Sequence, residues 1–347
     1  MLPAGGGWHT TDVRELRTLP KAHLHLHLTG SVRPRTVREL AGKYGISLPT
    51  ELVNNKFDWG EGGRDWSYFQ GRYDAARNTI RSAEDLRRII REAAEDDAAD
   101  GSRWLELQID PTTYARHLNG LEPAVEIMLA ACQDAARATG IGIVLVLAVS
   151  WTASPTCAED VARVAARHAH RGIVGFGISN DERLGDPDTF VPASRIARDA
   201  GLLVVPHAGF YTDHRHVRRC VELLGAHRIG HGITAAANQH TLDFLSRREV
   251  TMEICPTSYV PLGVLPTLAQ IPVIAFQRAA VPVALGADDP LIFGARLAEQ
   301  YGIMREVHGL RDAALADLAR QSVRASAAPA EVATQLLTDI DKWIRPS

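Results

Sequence analysis

The sequence predicts a parallel α/β architecture, a (β/α)8 or TIM barrel with its functional groups at the C-terminal ends of the strands. Three observations carry this. Eight short apolar runs recur along the 347 residues, most of them separated by stretches of helical periodicity. The runs are nearly continuous in apolar residues, as strands buried on both faces must be. Histidines or carboxylates close several of the runs, at the rim where barrels of this kind place their sites.

The elements follow in order. The first run, 23–28 (HLHLHL), alternates imidazole with leucine. Side chains two apart in a strand share a face, so His23, His25 and His27 point one way and the leucines the other. An excursion over about 46–75 is rich in glycine and aromatics, among them Phe57, Trp59, Trp66, Phe69 and Tyr73. It reads either as a lid-like insertion over the barrel mouth or as a helical hairpin with its aromatics in the core. The spacing of Leu86, Ile89, Ile90 and Ala93 predicts a helix over 83–99. Strands then follow at 103–110, 142–150, 172–179, 202–208, 228–231, 251–255 and 282–288. Helices fall between them at 121–138, 157–170, 191–200, 214–225 and 236–247. Residues at about 308–345 read as helices that close the barrel. Barrels commonly run as one unit at this length, so residues 1–347 are expected to form a single domain.

Bulk composition narrows the function. The 41 acidic and 38 basic residues are interspersed and leave a formal net charge of −3, which argues against nucleic acid as a partner and leaves a small molecule. Cys132, Cys157, Cys220 and Cys255 form no CxxC pair and read as reduced, mostly buried thiols. Residues 1–10 lack the basic start and apolar core of a secretion signal, and no run approaches the ~18 apolar residues of a membrane helix. A cytoplasmic location and no membrane association are therefore expected.

The chemistry concentrates in four segments. His25 and His27 lie in the first strand, His207 ends LLVVP, His231 ends RIG, and Asp288 and Asp289 follow VPVALGA. A lone histidine at a strand end is more often satisfied by a backbone carbonyl. Together, at the ends of strands one, five, six and eight, these residues read as a metal site. With a rise of about 3.3 Å per residue, His23 and His27 stand roughly 13 Å apart and cannot share an ion, so His25 and His27 are the better pair. Imidazole nitrogens at ~2.0–2.1 Å suit Zn2+. Fe2+ or another divalent ion accepts the same nitrogen and oxygen ligands.

The chain resembles the adenosine deaminase family of the amidohydrolase superfamily. The matching text is LPKAHLHLHLTG (19–30), GISNDE (177–182), HAG (207–209), RIGHG (228–232), EICPTS (253–258), ADDPLIF (287–293) and SVRAS (322–326). These segments are in order and span nearly the whole chain. The resemblance implies that His25, His27, His207 and Asp288 hold one zinc ion. It implies that His231 orients water and takes its proton, and that Asp289 hydrogen-bonds a ring nitrogen of the substrate. Asp288 is thereby both ligand and catalytic residue, and Gly209 is expected beside the substrate.

Several positions depart from the family. Phe210 stands where the family has a glutamate that shares a proton with the ring nitrogen next to the attacked carbon. Phenylalanine can neither donate nor accept, and a positioned general acid is typically worth ~10²–10⁴-fold in rate. Thr29 replaces an acidic residue that contacts the ribose, and Asn180 replaces a glycine whose N–H meets the purine. Tyr259 replaces a common asparagine. His23 replaces a usual glutamate below the metal and reads as core packing or, less favoured, as support behind the metal ligands. Tyr211, Asp213, His214 and His216 follow Phe210, but Thr212 or Asp213 is better placed to cap the helix at 214–225.

The metal residues are intact while the changes gather where substrate sits. That pattern favours a new substrate over lost function. The expectation is a metal-dependent hydrolase of a C–N bond in a small purine-, nucleoside- or amidine-like heterocycle. It would act by hydrolytic deamination, though inefficiently on adenosine itself. One alternative is amide, lactam or ring-opening hydrolysis on the same metal. The other is a catalytically silent protein that binds a purine-like ligand.

Overall fold

Eight strands pair in the order of the chain: β1 (Lys21–His27), β2 (Ser102–Ile109), β3 (Gly142–Ser150), β4 (Ile173–Ser179), β5 (Leu203–Ala208), β6 (Arg228–His231), β7 (Thr251–Ile254) and β8 (Val283–Leu285). Every pairing is parallel. The computed structural model describes residues 13–61 and 63–345. The N-terminal residues, from which no secretion signal is expected, lie outside the described ones. Beyond β8 the chain returns to β1: the His27 N–H donates to the Asp288 carbonyl and the Asp288 N–H to the His25 carbonyl, each at 3.1 Å. This seam brings the sheet round into a barrel and places Asp288 directly beside two histidines of β1.

Apolar residues crowd both faces of the strands, as Leu145, Val146 and Leu147 do in β3, all fully buried. β3 and β6 have the bounds the sequence predicts, and the other strands shift by one or two residues at an end. The exception is β8, which stops at Leu285 instead of running to 288. Its last bond to β7 runs from the Gly286 N–H to the Ile254 carbonyl, and beyond it Asp288 takes a left-handed backbone (φ 58°) and bridges to β1 instead.

Four helices follow β1: α1 (Pro34–Tyr44), α2 (Thr50–Asn54), α3 (Trp66–Arg77) and α4 (Ala83–Ala99). α4 has the predicted limits; Ser82 caps it by accepting from the Asp85 N–H at 3.2 Å. The helix expected at 157–170 starts earlier, at Pro155, because Ser154 caps it and proline suits the first turn. The helix expected at 236–247 starts later, at Gln239, capped by Asn238. The 46–75 segment thus contains α2 and the first part of α3. Its Phe69 stacks on Phe293 at 5.6 Å, and Trp59 stacks on the same ring at 5.7 Å. The helix Asp312–Ala325 lies against β8 and β1. No helix among the described residues is long and apolar enough to cross a membrane.

Candidate metal and substrate site

At the C-terminal rim, four imidazoles gather round one carboxylate. The rings of His25 and His27 are 5.1 Å apart, His25 and His207 4.8 Å, His27 and His207 5.2 Å, and His207 and His231 5.1 Å. Asp288 Oδ1 lies 3.6 Å from His25 Nε2 and 3.5 Å from His27 Nε2. Two ligands of one tetrahedral ion at ~2.0–2.1 Å sit about 3.3 Å from each other, so these separations fit a shared cation. His25 donates from Nδ1 to Glu253 Oε2 at 2.8 Å, which aims Nε2 into the cluster, where that buried atom has no hydrogen-bond partner. The donor set, its spacing and this orphaned nitrogen fit a divalent metal. Cys255 Sγ lies near His25 and Asp288. Burial, reinforced by Asp288 and Glu253, keeps its thiol well above the usual range, so it remains protonated.

The backbone here is specialised for that convergence. His231 (φ 69°), Asp288 (φ 58°) and Asn180 (φ 69°) are all left-handed non-glycine residues, and all three line one cavity. Such strain persists where surrounding structure over-determines it, typically at functional sites. Gly230 lets β5 and β1 approach: a Cβ there would stand 2.6 Å from His207 Cδ2 and 3.0 Å from His25 Cε1. Gly30 leaves room for Asp289, whose Oδ1 would lie 1.8 Å from a Cβ.

Beneath the cluster runs a buried ionic chain. Glu253 Oε1 accepts from Arg228 Nε at 2.7 Å, and Arg228 Nη2 donates to Glu106 Oε2 at 2.6 Å. Arg228 also reaches the Ala325 carbonyl, tying the chain to the C-terminal helices. Of the two readings of His23, the bonds favour support behind the cluster over plain core packing. The Ala287 N–H donates to its Nε2 at 3.0 Å, which leaves Nδ1 to donate to Asp97 at 2.7 Å. It therefore holds the backbone one residue before Asp288.

The electrostatics separate the groups by role. Burial opposes a charge on His25, but the nearby Asp288 and Glu253 carboxylates outweigh it and raise its pKa to about 10. Burial, with His25 nearby, lowers His27 to about 4. Burial likewise lowers His231 to about 3 and leaves it a neutral base. Asp288 is held well below the usual carboxylate range: burial opposes ionisation, but His25 and His231 prevail. Asp289 is pushed well above that range by burial and by Asp288, which favours its protonated form, and its Oδ1 has no partner.

The cavity over this cluster spans about 570 Å³ of empty space, part of it open to solvent. Phe210 lines it, buried, with its ring 4.5 Å from His231 and 5.7 Å from Tyr259. Glu182 fixes that segment: one carboxylate oxygen accepts from the N–H groups of Phe210, Tyr211 and Thr212 at 2.8, 2.5 and 2.6 Å. Asn180 also lines the cavity.

Thr29 does not line it. Its hydroxyl pairs with Tyr114 at 2.6 Å and it is buried. Gly209 is likewise absent from the wall. Its φ of 70° and its crowding against Val217 and Thr234 make it a turn residue. The residues after Phe210 supply no substitute acid. Tyr211 donates to the Leu262 carbonyl, Asp213 caps the following helix, His214 bonds Thr241 and His216 packs on Trp151. Tyr259 is not among the residues lining the cavity; its hydroxyl accepts from the Cys255 N–H at 3.0 Å.

Sequence reasoning missed Glu253, Arg228, Glu106 and Glu182, although each sits inside or beside a quoted segment. The available signal was a charge inside an apolar strand run, which must be paired when buried. It also missed Arg77 and Asp110, which line the cavity. Asp110 closes the predicted run 103–110 and carried the strand-end signal; nothing in the local sequence marks Arg77.

The model of the adenosine deaminase family matches residues 20–343. A Streptomyces coelicolor protein provisionally named an adenosine/adenine deaminase is 51% identical over 339 residues, covering 96% of this chain and 98% of that one. Among solved structures, an adenine deaminase from Arthrobacter aurescens superposes with a TM-score of 0.86 at 26% identity, covering 94% of this chain and 99% of that one. An amidohydrolase from Burkholderia ambifaria with bound Zn superposes with a TM-score of 0.85 at 25% identity, covering 96% of each chain.

Proposed function

Because the chain belongs to the adenosine deaminase family, we propose that it is a metal-dependent hydrolase that deaminates a purine-like heterocycle other than adenosine. One observation carries the reading: His25, His27, His207 and His231 converge round Asp288 beneath a cavity walled by Phe210. His25, His27, His207 and Asp288 would hold the ion, zinc by preference, although the nitrogen and oxygen ligands suit Fe2+ as well. A bound divalent ion supplies Lewis-acid activation, able to bring the pKa of water from ~15.7 to about 7.

The chain's own residues do the rest. His231, neutral through burial, accepts a proton from the attacking water. Asp288 accepts a hydrogen bond from it and directs its approach. Asp289, protonated, donates to a ring nitrogen of the heterocycle. Phe210 presents an apolar edge where the ring would otherwise be protonated. An unmodified adenine ring therefore leaves a buried nitrogen unpaired there, at a cost of roughly 1–3 kcal/mol. A substrate already activated at the reacting carbon, or apolar along that edge, avoids this cost.

The same wall favours one other reading, hydrolysis of a cyclic amide, which needs no ring protonation. Metal analysis combined with ammonia release over a panel of amino-substituted purines and their ribosides tests both. The expected result is one equivalent of divalent metal and ammonia from a modified purine, with adenosine a poor substrate. Protein that takes up no metal, or that releases no ammonia from any of the panel when loaded, refutes deamination. Ring-opened product without ammonia selects the amide reading.

A further inference from the structure

Two charged side chains in the cavity take no part in the chemistry just described. Arg77 ends α3, and Asp110 follows β2; both line the cavity. Among the described residues, the Arg77 guanidinium donates only to Asp74, through Nη2. Its remaining N–H groups face no acceptor. Asp110 uses one oxygen, Oδ1, which accepts from the N–H and the hydroxyl of Thr112 at 3.0 and 2.6 Å. Its other oxygen has no partner among the described residues.

Burial raises the pKa of Asp110 and Arg77 lies near enough to oppose that shift, yet the two form no ion pair; the Arg77 partner is Asp74. A guanidinium with spare donors and a carboxyl with a spare acceptor thus face one cavity with a gap between them. Charge decides what belongs in that gap. Asp74 already offsets the Arg77 charge, and Asp110 adds a half-buried carboxyl, so the local balance is zero or negative. An anionic arm gains nothing there. A neutral group with an acceptor beside a donor satisfies both sides at once.

We propose that Arg77 and Asp110 form a specificity clamp for a neutral donor–acceptor edge of the substrate, distal to the reacting carbon. Two sources present that chemistry: an unsubstituted ring N–H beside a ring nitrogen in a free base, or the hydroxyls of a sugar in a nucleoside. Thr29, at the position that contacts ribose in the family, is not among the lining residues, and its hydroxyl is engaged by Tyr114. The inference rests on reading this cavity as a heterocycle-deaminating site.

The test is calorimetric binding of hypoxanthine, inosine and inosine 5′-phosphate to metal-loaded protein and to the Arg77→Met, Arg77→Gln and Asp110→Asn variants. Arg77→Met and Asp110→Asn should each weaken at least one neutral probe by roughly tenfold or more, as loss of a buried hydrogen bond implies. Arg77→Gln, which keeps a donor without the charge, should retain most of the affinity. If the loss falls on hypoxanthine, the clamp holds a ring edge; if it falls on inosine alone, it holds sugar hydroxyls. The proposal is overturned if Arg77→Met and Asp110→Asn leave all affinities unchanged. It is equally overturned if the 5′-phosphate binds tightest and Arg77→Gln abolishes that preference. Wild-type protein that deaminates amines but binds neither neutral probe refutes the clamp alone. Protein that takes up no metal and turns nothing over refutes the underlying reading too.

Discussion

Replacing Phe210 by glutamate is the sharpest perturbation this site offers. The backbone that aims the side chain is fixed independently of it, by Glu182 accepting three consecutive N–H groups and by the left-handed Gly209. Phe210→Glu should therefore project a carboxyl into the cavity beside His231, where the phenyl ring now stands 4.5 Å away. Two terms oppose each other. Loss of the buried ring costs roughly 1.5–3 kcal/mol of stability, with roughly 0.5–1.5 kcal/mol more for its aromatic neighbours. Gain of a positioned acid is worth ~10²–10⁴-fold in rate, about 3–5 kcal/mol of barrier. The new carboxyl, desolvated like Asp289, should carry its proton near neutral pH. The assay is kcat/KM for ammonia release from adenine and adenosine, with thermal unfolding and metal content measured alongside. The expected outcome is a protein a few kcal/mol less stable whose activity on one of these substrates rises by two orders of magnitude or more. Phe210→Leu should show no such gain. A folded, metal-loaded Phe210→Glu protein with no gain on either substrate refutes the reasoning: position 210 would then not face the ring nitrogen next to the attacked carbon.

Two further predictions concern the frame. Glu253→Gln turns one of two buried acceptors into a donor facing either His25 or Arg228. Metal affinity should fall ~10–100-fold, with several kcal/mol of stability lost as the Arg228 charge loses a partner; unchanged affinity in a chelator competition would contradict the role given to Glu253. Burial lowers the pKa of Lys21 from 10.5 to about 8, against the pull of Asp100 and Asp97. The unfolded chain therefore binds the extra proton between these values, and stability from this residue rises as pH goes from 8 to 10.5. The span corresponds to about 3 kcal/mol at ~1.4 kcal/mol per unit. In urea unfolding, wild type should gain that much over Lys21→Met between pH 7.5 and 10.5, and a constant difference between the two proteins would contradict the shift.

The barrel was legible because its signals are local. Continuous apolar runs and helical periodicity can be read one segment at a time, and β3, β6 and α4 end where these patterns end. The convergence of His25, His27, His207, His231 and Asp288 followed from placing strand ends on one rim. What stayed hidden depends on partners distant in sequence. His23 looked like core because its bonds go to Asp97 and to the Ala287 backbone, 74 and 264 residues away. Thr29 looked available because the hydroxyl that occupies it belongs to Tyr114. Arg77 carries no local signature at all; it reaches the cavity because α3 packs its aromatic face on Phe293.

The two halves of the site are free to change to different degrees, for a physical reason. The metal side is set by the β1–β8 seam, by left-handed backbone at His231 and Asp288, and by the Glu106–Arg228–Glu253–His25 chain. Removing any member of that chain leaves a buried charge or a mis-aimed imidazole, so one change damages folding and metal binding together. The substrate side is built from Phe210, Asn180, Arg77 and Asp110, none of which belongs to that chain. Exchanging one of these alters what the cavity accepts and leaves the Glu106–Arg228–Glu253–His25 chain paired. Position 210 can thus change while every residue of that chain stays in place. The same asymmetry predicts where specificity can be re-engineered, at the wall and at the end of α3, with the histidine cluster left untouched.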